Sequence, residues 1–191
     1  MPAPVDAARV VSPISWPIDD QALVRTLTLE DAEVVYRAVA DDRDRLRPYM
    51  PWEKSTHSPD DVRTFIERAL ASPTDQEGNG IWVAGEYAGS VGLSVEPEMN
   101  AGELGYWIVG AFEGRGLVTK ACRLFIDYGF RERRLHRIQL NAAADNHRSR
   151  AVADRLGFTH EATLREAHRR SDGTYGDVLT YGLLEHEWLS A

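Results

Sequence analysis

A chain of 191 residues that is 43% hydrophobic and 27% charged is long enough to bury a core of its own and too apolar for a disordered segment. Its formal net charge of -8, from 22 basic against 30 acidic residues, speaks against general nucleic-acid binding, where neutralised phosphates supply most of the affinity. The lone cysteine, Cys122, permits neither an intramolecular disulfide nor a thiolate metal cluster, and no apolar run reaches the ~20 residues of a membrane span. These features predict a cytoplasmic protein without a metal centre, a nucleic-acid partner or a membrane segment. The acidic excess suits a cationic acceptor, and equally suits plain solubility.

Residues 1–21 hold four prolines without steady periodicity and read as an extended arm ahead of a single domain over 22–191. A strand at about Ala22 to Leu27 is followed by Thr28 with Asp31 three residues later, a capping pair that predicts a helix over roughly Leu29 to Ala40. The stretch RDRLRPYMPW is charged and broken by prolines. Beyond it, Ser58-Pro59-Asp60-Asp61 opens a second helix, whose Val62, Phe65, Ile66, Ala69 and Leu70 make one apolar stripe. From Gly80 to Val109 three β-branched and aromatic runs, IWVAG, SVGLSV and ELGYWIV, are separated by turn residues and predict an antiparallel meander.

A glycine loop comes next. The helix after it carries Leu117, Ala121, Leu124, Phe125 and Tyr128 on one face, and HRIQLNAAA supplies a further strand, which makes a βαβ step. A third capped helix runs from about His147 to Leu156, with Asn146 at its start and Gly157 at its end. Two last strands flank Asp172-Gly173 and finish at TYGLLEHEW. This order requires an α/β fold with a mixed sheet of about seven strands covered by helices. The ligand crevice is expected where parallel neighbours diverge, just beyond ELGYWIV.

In GAFEGRGLVTKACRLF, Gly114 and Gly116 stand between a predicted strand and a predicted helix, where free backbone N–H groups receive an anion. Arg115 and Lys120 add positive charge to the same segment. The phosphate-loop pattern lacks its Lys-Ser/Thr and the dinucleotide fingerprint lacks its third glycine, so nucleotide hydrolysis and nicotinamide binding both lose ground.

These blocks, from LVRTLTLEDA through RDRLRPYMPW, GELGYWIVGAFEGRGLVTKACR and NHRSRAVADRLGFTHEATLRE to GDVLTYGLLEHEW, resemble the GCN5-related N-acetyltransferases (GNAT family), and within them the RimJ/RimL type that acetylates ribosomal-protein N-termini. The resemblance implies a mostly antiparallel GNAT sheet with a splayed parallel pair, and acetyl-CoA as co-substrate. Its diphosphate would be held by backbone amides of Gly114, Arg115, Gly116, Leu117, Val118 and Thr119. The family's loop commonly starts with Gln or Arg and ends with Gly or Ala; here Glu113 and Val118 stand there. The first departure bears on a side-chain contact, while backbone gripping survives it.

Acetyl transfer needs a carbonyl polariser, a route for the ammonium proton and a donor for the leaving thiolate. The resemblance gives the first to backbone N–H groups near Ile108 and Val109, on a strand that usually bulges, and implies that Asn146 contacts the pantetheine arm and Ser149 protonates the thiolate. From the residues alone, Asn146 is equally a helix cap and Ser149 an exposed first-turn residue. For the base, the position matching the RimL-type glutamate is His168; Glu166, two residues away and therefore on the same strand face, is the other candidate. Family members build the acceptor pocket around the segment that here holds Tyr49 and Trp52, together with the last strands, where Asp177 lies.

The function implied is transfer of acetyl to a primary amine, foremost the α-amine of a peptide N-terminus. Alternatives are a small amine, a longer acyl donor such as succinyl-CoA, or a catalytically silent CoA-binding module. A homodimer is compatible with these features and would be built without disulfides.

Overall fold

The computed structural model describes residues 12–72 and 76–190. The first eleven residues of the predicted arm lie outside that range. The remainder of the arm is not simply extended. Strand β1 (Ser15–Pro17) pairs antiparallel with β2 (Ala22–Thr26), because Trp16 packs against Phe125 with ring centroids 5.2 Å apart. That contact outweighs the proline signal, and Pro17 is tolerated because β1 lies at a sheet edge.

Asp31 accepts the Thr28 N–H at 2.7 Å, and one 3₁₀ turn, Leu29–Asp31, leads into α1 (Ala32–Asp41). The charged stretch after it folds as a one-turn helix, α2 (Arg43–Leu46), and a second 3₁₀ turn, Pro51–Ser55. Helix α3 (Pro59–Ala71) starts as predicted: Asp61 accepts the Ser58 N–H at 2.9 Å. Its stripe is narrower than predicted. Val62, Ile66 and Ala69 are buried, whereas Leu70 is 48% exposed, because a residue eight positions on drifts off the face by most of a quarter turn.

The meander is β3 (Gln76–Val83), β4 (Glu86–Glu96) and β5 (Ala101–Ile108). Helix α4 (Leu117–Asp127) and a π-turn over Tyr128–Glu132 cross over to β6 (Arg137–Ala143). Helix α5 (His147–Arg155) precedes the hairpin of β7 (Thr159–Arg169) and β8 (Tyr175–Leu184). The predicted final strand stops at Leu184, and Glu185–Leu189 forms α6. Among the described residues the sheet has eight strands in the order β1-β2-β3-β4-β5-β6-β8-β7.

Only β5 and β6 run parallel, and they pair over Ala101–Glu103 and Arg137–Gln139. Beyond that short contact both strands continue while their pairing stops, so the sheet opens between them. Two apolar cores hold the halves in place. Helices α4 and α5 cover one face through Phe125, Ile138, Leu140 and Ala153; α1 and α3 cover the other through Val35, Ile66, Trp82 and Trp107. No helix among the described residues is long and apolar enough to cross a membrane.

Candidate active site

The opening between β5 and β6 is part of a groove of about 2120 Å³ that also runs along α1 and α3. Gly114, Gly116, Val118, Asn146 and Ser149 line one end, and Tyr49, Met50, Trp52 and Phe65 line the other. Gly114 and Gly116 have φ of +74° and +73°, and space beyond each α-carbon is open to at least 4 Å on the side a β-carbon would take. Left-handed backbone and open approach are what a close anion contact needs. The N–H groups of Leu117, Val118 and Thr119, in the first turn of α4, have no i−4 helical partner and point the same way.

The structure divides the predicted carbonyl donors. Val109 N–H donates to Ala88 O at 2.7 Å. Since hydrogen-bonded and non-bonded pairs alternate along an antiparallel ladder, the neighbouring Ile108 N–H is turned away from β4 and toward the opening. The expected bulge in β5 is absent: its pairing with β4 runs in step from Ala101 to Ile108. The opening arises instead from loss of pairing with β6.

Asn146 Oδ1 accepts the Ser149 N–H at 3.1 Å, which caps α5 and holds Ser149 at the groove wall. Sequence reasoning missed the partner of Ser149. Tyr106 places its hydroxyl 2.8 Å from Ser149 Oγ and donates to Ser149 O at 3.2 Å. Its position two residues before Ile108, on the same face of β5, was the available signal. Burial pushes the Tyr106 phenol well above its usual range, so it remains protonated. Tyr106 has one hydroxyl hydrogen; when it goes to Ser149 Oγ rather than to Ser149 O, Ser149 keeps its own hydrogen for a group in the groove. The thiol of Cys122, packed in the α4 core, is also raised by burial and stays inert.

Several predicted residues stand elsewhere. Arg115 folds back to donate to Ala111 O at 3.0 Å and lies over the Phe112 ring; Lys120 does line the groove, with its ammonium paired to Asp19 at 2.8 Å. The common face for Glu166 and His168 is corrected. A register break between Leu164 and His168 puts Glu166 at φ +54°, so the two-residue alternation that would align them is interrupted. Glu166 is exposed, with its N–H given to Asp177 Oδ1 at 2.9 Å. His168 Nε2 donates to Pro48 O at 2.7 Å, next to Tyr49, and lies outside the groove lining. Trp52 is 37% exposed, meets Trp107 at 5.8 Å between centroids and forms part of the groove wall.

A charged network, also missed, braces the loop. Arg45 pairs with Asp42 and with Glu113, the latter at 2.7 Å, and Glu113 also binds Arg148 at 2.8 Å. The acidic residue at the start of the loop is therefore neutralised from two sides. Hydrogen bonding to Arg45 holds the Asp42 carboxyl below its usual value.

The acetyltransferase (GNAT) domain family matches residues 21–159. The chain belongs to that family. This N-acetyltransferase is 33% identical over 175 residues to YdaF of Bacillus subtilis (strain 168), which carries a provisional name as a ribosomal N-acetyltransferase; the match covers 90% of this chain and 95% of YdaF. It is 26% identical to the ribosomal-protein-serine acetyltransferase of Escherichia coli (strain K12), covering 77% and 83% of the two chains. In fold it superposes on RimL, an L7/L12 α-N-protein acetyltransferase solved with coenzyme A, with a TM-score of 0.84 at 22% identity over 90% of this chain and 98% of that one.

Proposed function

We propose that this acetyltransferase moves the acetyl group of acetyl-CoA onto the α-amine of a protein N-terminus. One observation carries the reading: the groove passes between the splayed strands, with an anion cradle at one end and an aromatic-walled mouth at the other. Its 2120 Å³ exceeds the ~300–1,000 Å³ of a typical small-ligand pocket, and so leaves room for a donor and a peptide together. The ribosomal-protein names of its relatives support the same acceptor class.

The residues present suit the donor. Gly114, Gly116 and the free N–H groups at the start of α4 receive the diphosphate of CoA, and Asn146 lies along the path of its arm. The co-substrate supplies an activated thioester. Ile108 N–H polarises a carbonyl placed between the strands, and Ser149, oriented by Tyr106, returns a proton to the departing sulfur. The pantetheine end thus meets two donors from two different elements.

His168 is read as an anchor for the acceptor wall, since its Nε2 proton is committed to Pro48 O. A strong base is not required for this substrate. Deprotonation at pH 7 costs ~1.4 kcal/mol for an α-amine of pKa ~8 against ~4.6 kcal/mol for a lysine of pKa ~10.4. Accordingly, kcat/KM for a peptide with a free N-terminus rises with pH to about 8 and then levels, following the neutral fraction of the amine. In His168→Gln, which retains a donor for Pro48 O, that profile keeps its shape. A profile that instead loses an ascending limb in this variant would assign the base to the imidazole.

A further inference from the structure

We propose that Arg45 is a positioning residue for acyl transfer, one that fixes the end of β5 so that the Ile108 N–H is aimed into the groove. The inference rests on the acetyl-transfer reading above and adds a residue to it. Between Ile108 and Gly110 the backbone is satisfied group by group. Ile108 O accepts from Arg45 Nη2, Val109 N–H donates to Ala88 O at 2.7 Å, and Val109 O accepts from Phe112 N at 2.9 Å. Gly110 N–H donates to Asp42 Oδ2 at 2.8 Å and Gly110 O accepts from Glu113 N at 3.2 Å. The donor that faces the opening is Ile108 N–H, one peptide upstream of the Arg45 contact.

A single guanidinium makes this arrangement possible. Its Nε and Nη2 grip Asp42, Nη2 also reaches Ile108 O, and Nη1 reaches Glu113 at 2.7 Å. Three acceptors in different directions suit a planar fork with five N–H donors, and an ammonium on a flexible stem cannot match it. Arg45 sits on α2, in the wall that also carries Tyr49 and Trp52 on the acceptor side, yet it holds the strand that polarises the donor. Its side chain is 32% exposed, so it braces the groove wall from within and is not an isolated surface charge.

The role separates from plain structural support by what it moves. In Arg45→Gln, kcat falls about tenfold or more, in the range expected when a carbonyl donor is misaligned. Acetyl-CoA affinity by calorimetry stays within about threefold, because Glu113 at the start of the loop keeps its pair with Arg148. The infrared carbonyl band of bound acetyl-CoA, isotopically labelled at the thioester carbon, moves to lower frequency in the wild type and returns toward its free position in Arg45→Gln. Arg37→Gln, which removes a guanidinium from the exposed surface of α1, leaves kcat and the band unchanged. Should Arg45→Gln fail to fold, Arg45→Lys is read in its place and shows the same loss of kcat and of band shift. Wild-type kcat with an unaltered band in either folded variant overturns the proposal. A wild-type enzyme that turns over without any band shift would instead overturn the assignment of Ile108 as polariser.

Discussion

Replacing Ser149 with Ala lowers kcat by roughly 10²-fold or more while acetyl-CoA affinity stays near that of the wild type. Asn146 Oδ1 holds the Ser149 N–H, and Tyr106 places its hydroxyl 2.8 Å from Ser149 Oγ, so the serine hydroxyl is fixed in direction before any ligand arrives. Removal of a positioned general acid commonly costs 10²–10⁴-fold, and an interaction made only as the sulfur departs leaves ground-state binding alone. Tyr106→Phe separates orientation from donation. If Tyr106 only directs the serine, the variant loses less than Ser149→Ala; if the tyrosine proton is the one delivered, it loses as much. Steady-state kinetics together with calorimetric titration of acetyl-CoA decide the matter, and a drop below about threefold in Ser149→Ala is too small for a proton donor.

The second large effect belongs to Gly116→Val. Gly116 caps α4 at φ +73° with open space beyond its α-carbon. A β-branched side chain there meets two penalties at once. It is held in a left-handed conformation that costs about 1–2 kcal/mol, and it fills the volume through which an anion approaches the first N–H groups of the helix. Affinity for acetyl-CoA therefore falls by about tenfold or more, equivalent to at least about 1.4 kcal/mol. Gly116→Ala, with the same φ penalty and less bulk, falls in between. Undiminished affinity in a folded Gly116→Val variant would contradict docking of the diphosphate at this turn.

Much of this architecture is legible in the sequence because its signals are local. The Ser58 and Asn146 caps, the Asp172-Gly173 turn and the three β-branched and aromatic runs of the meander depend on neighbours a few residues away, and the structure places them as read. The glycine loop was legible for the same reason. What escaped is set by distant contacts. Strand β1 exists through Trp16 against Phe125, and Arg45 reaches partners 63 and 68 residues further along the chain. Neither spacing nor hydropathy announces such a pairing. The alternation rule that correctly groups Tyr106 with Ile108 misleads at Glu166 and His168, where one left-handed residue breaks the ladder.

The account stands or falls most directly on where the acetyl group lands. The protein is incubated at pH 7 with acetyl-CoA and peptides copying ribosomal-protein N-termini, each bearing one free α-amine and one internal lysine, with a polyamine present as competitor. Fragmentation mass spectrometry then locates the added acetyl mass. The account predicts modification at the N-terminal α-amine, lysine trailing by about 10² or more in line with the ~3 kcal/mol difference in deprotonation cost. Acetyl found on the lysine or on the polyamine, with the α-amine left free, would contradict it.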